Sequence, residues 1–265
     1  MTHPFFVGSP TPRVFAHRGL ATTVGKGTKS AATAVWENTA LAIGAAHAAG
    51  ADYVETDCRV SADGDVLLFH DTDLQRLLGD SRLLREVRTR ELAELMAANG
   101  GLLTLADALD AFPTLRFNID VKEDAVADRI GKIVASHAHR VLLTSFDDRR
   151  RQRAIEGALR AGAAMRPATS GGRKTIARLS TASLSGSRGL VTRVLSGIDA
   201  VQIPLRFGPI PIFSRSLVRA AHSVGVEVHV WTINDPAQMI AVVEAGADGV
   251  VTDRADLALG TLGIA

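Results

Sequence analysis

Ala48-Ala49-Gly50-Ala51-Asp52-Tyr53-Val54-Glu55-Thr56-Asp57 is echoed near the other end of the chain by Glu244-Ala245-Gly246-Ala247-Asp248-Gly249-Val250-Val251-Thr252-Asp253. Each copy closes an Ala-rich helical pattern with a glycine suited to the left-handed position just past a helix. Each then runs into a β-rich segment that ends in Thr-Asp. A helix feeding a strand at both ends of a chain points to repeated βα units. The echo also puts Asp57 and Asp253 at equivalent, C-terminal strand ends.

The same rhythm fills the space between the two copies. Strands are expected at Val14–His17, Tyr53–Arg59, Leu115–Lys122, Arg140–Thr144, Ala163–Arg166, Ala200–Ile203, Val226–Thr232 and Gly249–Thr252. Helical patterns at Asn38–Ala49, Asp124–Ser136, Arg149–Ala161, Ser214–Ser223 and Pro236–Ala245 separate most of them. Eight units in 265 residues predict a (β/α)8 TIM barrel, as a single domain over residues 1–265. A doubly wound sheet is the alternative, but no Gly-rich phosphate fingerprint follows the first strand. Three segments interrupt the pattern and read as loops: Leu20–Trp36, Thr72–Gly101 and Ser170–Gly189. The second is an insertion of approximately residues 72–101 with its own helical piece, Thr89–Ala98.

Composition narrows the function classes. Hydrophobic residues make up 46% and charged residues 22%, which excludes a disordered chain. The lone cysteine, Cys58, excludes an intramolecular disulfide framework and argues against a Cys-based zinc site. No apolar run approaches the roughly 18 residues of a transmembrane helix. The start lacks the basic and apolar regions of a signal peptide, so the expected location is cytoplasmic. A net charge of +2 is too even for a dedicated nucleic-acid binder. The basic run Asp147–Arg153 puts acids first and reads as a solvated helix start with charge pairs.

The chemistry-bearing residues gather at strand ends. Ala16-His17-Arg18-Gly19 ends the first strand with a proton-exchanging imidazole and a guanidinium fork matched to phosphate oxygens. In Val54-Glu55-Thr56-Asp57-Cys58-Arg59, side chains alternate faces, so Glu55 and Asp57 point the same way. Two confined carboxylates repel unless a cation or a shared proton relieves them, and a hard divalent cation with oxygen ligands does so. In Arg116-Phe117-Asn118-Ile119-Asp120-Val121-Lys122 the apolar residues face the helices, leaving Asn118, Asp120 and Lys122 inward. His70, after Leu68-Phe69, is ordinary alone; beside His17 it completes a pair able to act as acid and base. Trp231 places an indole at the barrel mouth. The histidines at 3, 47, 137, 139, 222 and 229 carry no expected catalytic role.

Taken in order, Ala16-His17-Arg18-Gly19, Glu37-Asn38-Thr39, Glu55-Thr56-Asp57, His70-Asp71, Asn118-Ile119-Asp120-Val121-Lys122, Trp231-Thr232-Ile233-Asn234 and Asp248–Asp253 resemble the signature blocks of the glycerophosphodiester phosphodiesterase family. The resemblance implies a TIM barrel with a divalent cation, Mg²⁺ or Ca²⁺, that hydrolyses glycerophosphodiesters to glycerol 3-phosphate and an alcohol. It implies His17 and His70 as the general acid/base pair and Glu55, Asp57 and Asp120 as metal ligands. It implies Arg18 and Lys122 as phosphate contacts, with Trp231 lining the substrate pocket.

Three features depart from the family pattern. Asp120 stands where Glu is usual, the connection from Gly19 to Glu37 is long, and Leu78 precedes Gly79 where Thr is usual. Two alternatives accompany this expectation. One is a lysophospholipase D-like activity on lipids, suggested by the apolar stretch Pro204–Phe213; the other is a barrel that binds phosphorylated ligands without turnover. The expected partner is a small-molecule glycerophosphodiester, with no nucleic acid and no transmembrane segment.

Overall fold

A computed structural model describes residues 2–22 and 34–264, so most of the Leu20–Trp36 loop expectation lies outside the described residues. A short 3-10 turn, Pro4–Phe6, precedes β1 (Arg13–His17), α1 (Ala40–Ala48), β2 (Tyr53–Val60) and β3 (Val66–Leu68). Next come α2 (Gln75–Leu78), α3 (Thr89–Met96), α4 (Leu105–Ala111), β4 (Arg116–Val121), α5 (Asp124–Val134), β5 (Val141–Thr144) and α6 (Asp148–Arg160). The chain continues through β6 (Ala168–Thr169), α7 (Arg173–Ser185), α8 (Arg188–Val194), β7 (Ala200–Pro204), β8 (Arg206–Phe207), β9 (Ile210–Pro211) and α9 (Arg215–His222). It ends with β10 (Glu227–Trp231), α10 (Pro236–Glu244), β11 (Gly249–Thr252) and α11 (Ala255–Thr261).

Eight strands pair in parallel in the order β6-β5-β4-β2-β1-β11-β10-β7. A parallel bridge between Ser170 and Ala200 joins β6 to β7 and closes the ring. This is the expected (β/α)8 barrel. Pleat alternation divides its side chains. Val54, Phe117, Ile119 and Val121 join Ile43, Val126 and Ile130 in the layer between sheet and helices. Phe15, Tyr53 and Leu142 point inside and pack with Phe5 and Phe6, which plug the N-terminal end.

Helix starts obey simple capping chemistry. Thr39, Asp147, Ser214 and Asp235 each accept a backbone N–H of the first turn of α1, α6, α9 and α10. Where α5 crosses α6, a Cβ on Gly131 would lie 2.2 Å from the carbonyl carbon of Gly157, so only glycine permits the approach. The basic run on α6 serves this packing: Arg150 pairs with Asp124, Arg153 with Asp128, and Arg151 is buried against Thr169.

Two expectations need correction. Ala163–Arg166 is not a strand; the sixth strand is Ala168–Thr169. Pro167 cannot donate to a ladder, and Arg166 is drawn into a two-point ion pair with Asp199. Ser170–Gly189 is not a loop, because α7 occupies 173–185 and packs Leu179 and Ala182 against Leu217 and Val218 of α9. The insertion has the expected helical piece as α3. Leu74, Leu84, Val87, Leu92 and Met96 form a small apolar cluster with Leu67, Phe69 and Trp36.

Candidate active site

Strand register builds the site. His17 on β1 lies level with Glu55 on β2, and Glu55 lies level with Asn118 on β4. One pleat higher, Asp57 is level with Asp120. Parallel neighbours in register share a face, so these side chains form two stacked rows at the C-terminal end of the barrel. β3 folds back along β2, and the Phe69 N–H donates to the Asp57 carbonyl at 2.9 Å, which brings His70 to the same place. Lys122 follows β4. All of these residues, with Arg18 and Trp231, line one cavity of about 470 Å³. The structure thus brings every residue nominated from the sequence to the same cavity.

Each histidine is braced through Nδ1. His17 Nδ1 meets Asp253 Oδ1 at 2.6 Å, and His70 Nδ1 meets Asp71 Oδ1 at 2.6 Å. An ionised carboxylate can only accept, so Nδ1 carries the proton and Nε2 is left for the cavity. Asp253 is itself held by the Asn234 amide at 2.7 Å, and Asp71 by Arg76 Nε at 2.6 Å. Arg76 also grips Glu37, which accepts from Arg18 Nη1 at 2.8 Å. The insertion thus reaches the site through Arg76.

Arg18 has an unusual backbone, with φ at 59°. Its N–H donates to the Glu55 carbonyl at 2.7 Å and its own carbonyl accepts from Asn38 at 2.8 Å. Gly19 follows at φ 85°, where a Cβ would sit 2.6 Å from the Ala42 carbonyl carbon. This tight path turns the guanidinium toward Asp57, with Nε 3.0 Å from Oδ2. Lys122 Nζ bridges Asp57 at 2.8 Å and Asp120 at 2.6 Å.

Electrostatics follow from this crowding. Burial, then the charge of Asp57, pushes the Glu55 carboxyl well above the usual carboxylate range. Burial raises Asp120 as well. Burial would also raise Asp57, but Arg18 and Lys122 win and hold it far below its ordinary value. For His17, burial favours the neutral ring; the Asp253 hydrogen bond and the Glu55 charge overturn this and raise its pKa. Cys58 is buried, which raises its thiol and leaves it inert.

The donor set fits a hard cation. Glu55 Oε2, Asp120 Oδ1 and Asn118 Oδ1 are buried acceptors without a donor. Such atoms are costly unless something satisfies them, and oxygen-only ligation suits Mg²⁺ or Ca²⁺. Among the described residues, however, no three acidic or imidazole groups already close on a single point. Lys122 stands between Asp57 and Asp120 instead.

Sequence reasoning gave no role to Asp253, Asp71, Asn234, Glu37 or Arg76. The Thr-Asp echo and the His70-Asp71 dipeptide were the available signals for the two bracing carboxylates. Phe146 was also missed; it lies 6.1 Å from Trp231 and 4.5 Å from the Arg173 guanidinium.

Comparison with known proteins identifies the family and the fold. The model of the glycerophosphoryl diester phosphodiesterase family matches residues 17–257. A probable glycerophosphodiester phosphodiesterase 2 of Mycobacterium tuberculosis is 34% identical, over 94% of this chain and 93% of its own. The crystal structure of a Thermotoga maritima glycerophosphodiester phosphodiesterase superposes with a TM-score of 0.67 at 27% identity, covering 93% of this chain and 96% of the other. An Oleispira antarctica phosphodiesterase, solved with sn-glycerol-3-phosphate, shares the fold with a TM-score of 0.68 at 19% identity, covering 96% and 97%.

Proposed function

Because this chain belongs to the glycerophosphoryl diester phosphodiesterase family, we propose that it hydrolyses small glycerophosphodiesters to glycerol 3-phosphate and an alcohol by metal-dependent, paired-histidine catalysis. One observation carries the reading: two histidines, each fixed through Nδ1 by a carboxylate, flank a cluster of buried carboxylates with unpartnered oxygens. The sn-glycerol-3-phosphate held by the Oleispira antarctica relative supports the product assignment.

Glu55, Asp57 and Asp120 would hold the divalent cation, Mg²⁺ or Ca²⁺. When bound, it supplies charge for the phosphoryl oxygens and relieves the carboxylate crowding. Arg18 and Lys122 contribute further positive charge at the phosphate. One histidine takes the proton from the attacking oxygen, either water or the neighbouring glycerol hydroxyl, through its free Nε2. A phosphorus–oxygen bond forms there and the bond to the alcohol breaks. Water attack gives glycerol 3-phosphate directly, whereas attack by the glycerol hydroxyl gives a cyclic phosphate that a water must then open. The other histidine delivers a proton to the departing alkoxide. Asp253 and Asp71 keep each ring in the required tautomer, and Trp231 walls the substrate side.

A second reading has its own support. Phe146, Ile176, Phe207, Ile212 and Trp231 make one wall of the cavity apolar, which suits an alcohol or acyl group of a lysophospholipid. One assay separates the two readings. Glycerol 3-phosphate release is measured from glycerophosphocholine, glycerophosphoethanolamine and glycerophosphoglycerol, beside choline release from lysophosphatidylcholine, each with Mg²⁺, Ca²⁺ or EDTA. The proposal expects metal-dependent release from at least one small diester. No release from any of them, with turnover of the lysolipid, replaces it with the lipid reading.

A further inference from the structure

Charge is distributed very unevenly along this nearly neutral chain. Residues 157–226 carry ten Lys and Arg against one acid, Asp199. The remaining residues carry twenty basic against twenty-seven acidic side chains. Asp199 is spent on Arg166 and the Thr169 N–H, so it neutralises none of the exposed cations.

Part of this basic sector lies on the rim of the cavity. α7 and α9 both begin at the C-terminal end of the barrel, and their first residues, Arg173 and Arg215, are exposed. Lys174 and Arg206 are exposed beside them. The nearby Asp148 carboxylate is turned inward, accepting from Gly172 and Thr175 and pairing with Arg151 at 3.6 Å. The β8–β9 hairpin, which Arg206 itself opens, lies in the chain between β7 and α9. Phe207 and Ile210 face each other across it, 66% and 58% exposed. Phe207 also lines the cavity, so the apolar tip is continuous with the cavity's apolar wall.

Exposed apolar side chains on a hairpin that shares its end of the barrel with several exposed cations match a surface that is anionic outside and apolar beneath. We propose that the β8–β9 hairpin and the basic starts of α7 and α9 dock this protein on an anionic lipid bilayer, with the cavity mouth toward the membrane. No described helix is long and apolar enough to cross a membrane, so the attachment is peripheral. The exposed aliphatic Ile210 beside Phe207 favours lipid over a nucleic acid, which would take the same cations and stack on the phenyl ring but leave the isoleucine unused.

The test is co-sedimentation of the full chain with vesicles of phosphatidylcholine alone or mixed with phosphatidylglycerol, at low and high sodium chloride. Binding is expected only to the mixed vesicles, and salt weakens it. The Arg206→Glu/Arg215→Glu variant should lose about tenfold or more in partitioning. Ile210→Ser should lose about threefold. An unchanged melting temperature controls for folding. Equal sedimentation with both vesicles overturns the proposal, as does full binding by the charge-reversed variant. Binding of a DNA oligonucleotide without any vesicle binding also overturns it, in favour of a nucleic-acid surface.

Discussion

The two ends of the barrel hold similar chemical groups under opposite conditions. At the N-terminal end, Arg13 is nearly buried and each of its three guanidinium nitrogens donates. It makes a two-point pair with Glu227 at 2.9 Å and donates to Tyr53 Oη at 2.9 Å and the Ser9 carbonyl at 2.6 Å. His229 completes the set by donating to Glu227 at 3.0 Å. Phe5 and Phe6 seal it from water. At the C-terminal end, Glu55, Asp57 and Asp120 crowd together, Glu55 and Asp120 each with an oxygen left unpartnered, and Arg18 holds a left-handed backbone. The closed end is assembled for stability, whereas the open end gives up stability to keep groups ready for a ligand.

The largest expected effect lies at the open end. His17→Ala should lower turnover of the best diester by about 10²–10⁴-fold. Its melting temperature should change little, because the ring bridges only groups at the mouth. Asp253→Asn should cost about 10²-fold, since the amide no longer enforces the proton on Nδ1. A pH–rate profile distinguishes this loss of tautomer control from a loss of fold.

The closed end should respond the other way. Glu227→Ala strands the Arg13 charge and should cost about 3 kcal/mol of stability by urea denaturation, with turnover kept in the folded fraction. Burial alone would raise Glu227, but its hydrogen bonds from His229 and Arg13 bring it down to about 2. An acid depressed in the folded state stabilises above its unfolded pKa, so this contribution is full at neutral pH. It fades as pH falls from the ordinary glutamate range toward about 2. Denaturation of wild type and Glu227→Gln at neutral and acidic pH measures it, and the stability gap should narrow on acidification. Away from both ends, Gly131→Ala should cost about 1–3 kcal/mol by forcing α5 off α6. That change should leave the pH profile of turnover untouched.

The contrast also explains what the sequence made legible. Period-two alternation displayed Glu55, Asp57, Asn118 and Asp120 on one face, because every second residue of a buried barrel strand points inward. The helices with cap residues and apolar stripes were legible for the same local reason. β6 was not, since two residues carry no periodic signal and Arg166 and Pro167 obscure its start. α7 was missed because Ser, Thr and Gly dominate its stretch, and its support comes from packing on α9 rather than from propensity. The bracing of His17 by Asp253 joins residues at opposite ends of the chain; only closure of the barrel, which sets β11 beside β1, brings them together.

The most direct test of a mouth that trades stability for ligand binding is the melting of wild type and Glu55→Gln, in EDTA and with Mg²⁺ or Ca²⁺. Burial and Asp57 disfavour the Glu55 charge, so the uncharged isostere should melt higher than wild type in EDTA, by about 1 kcal/mol of added stability. Metal should then raise the wild type and leave the variant nearly unmoved. A Glu55→Gln protein that melts lower than wild type in EDTA, or that gains as much from metal, would contradict the account.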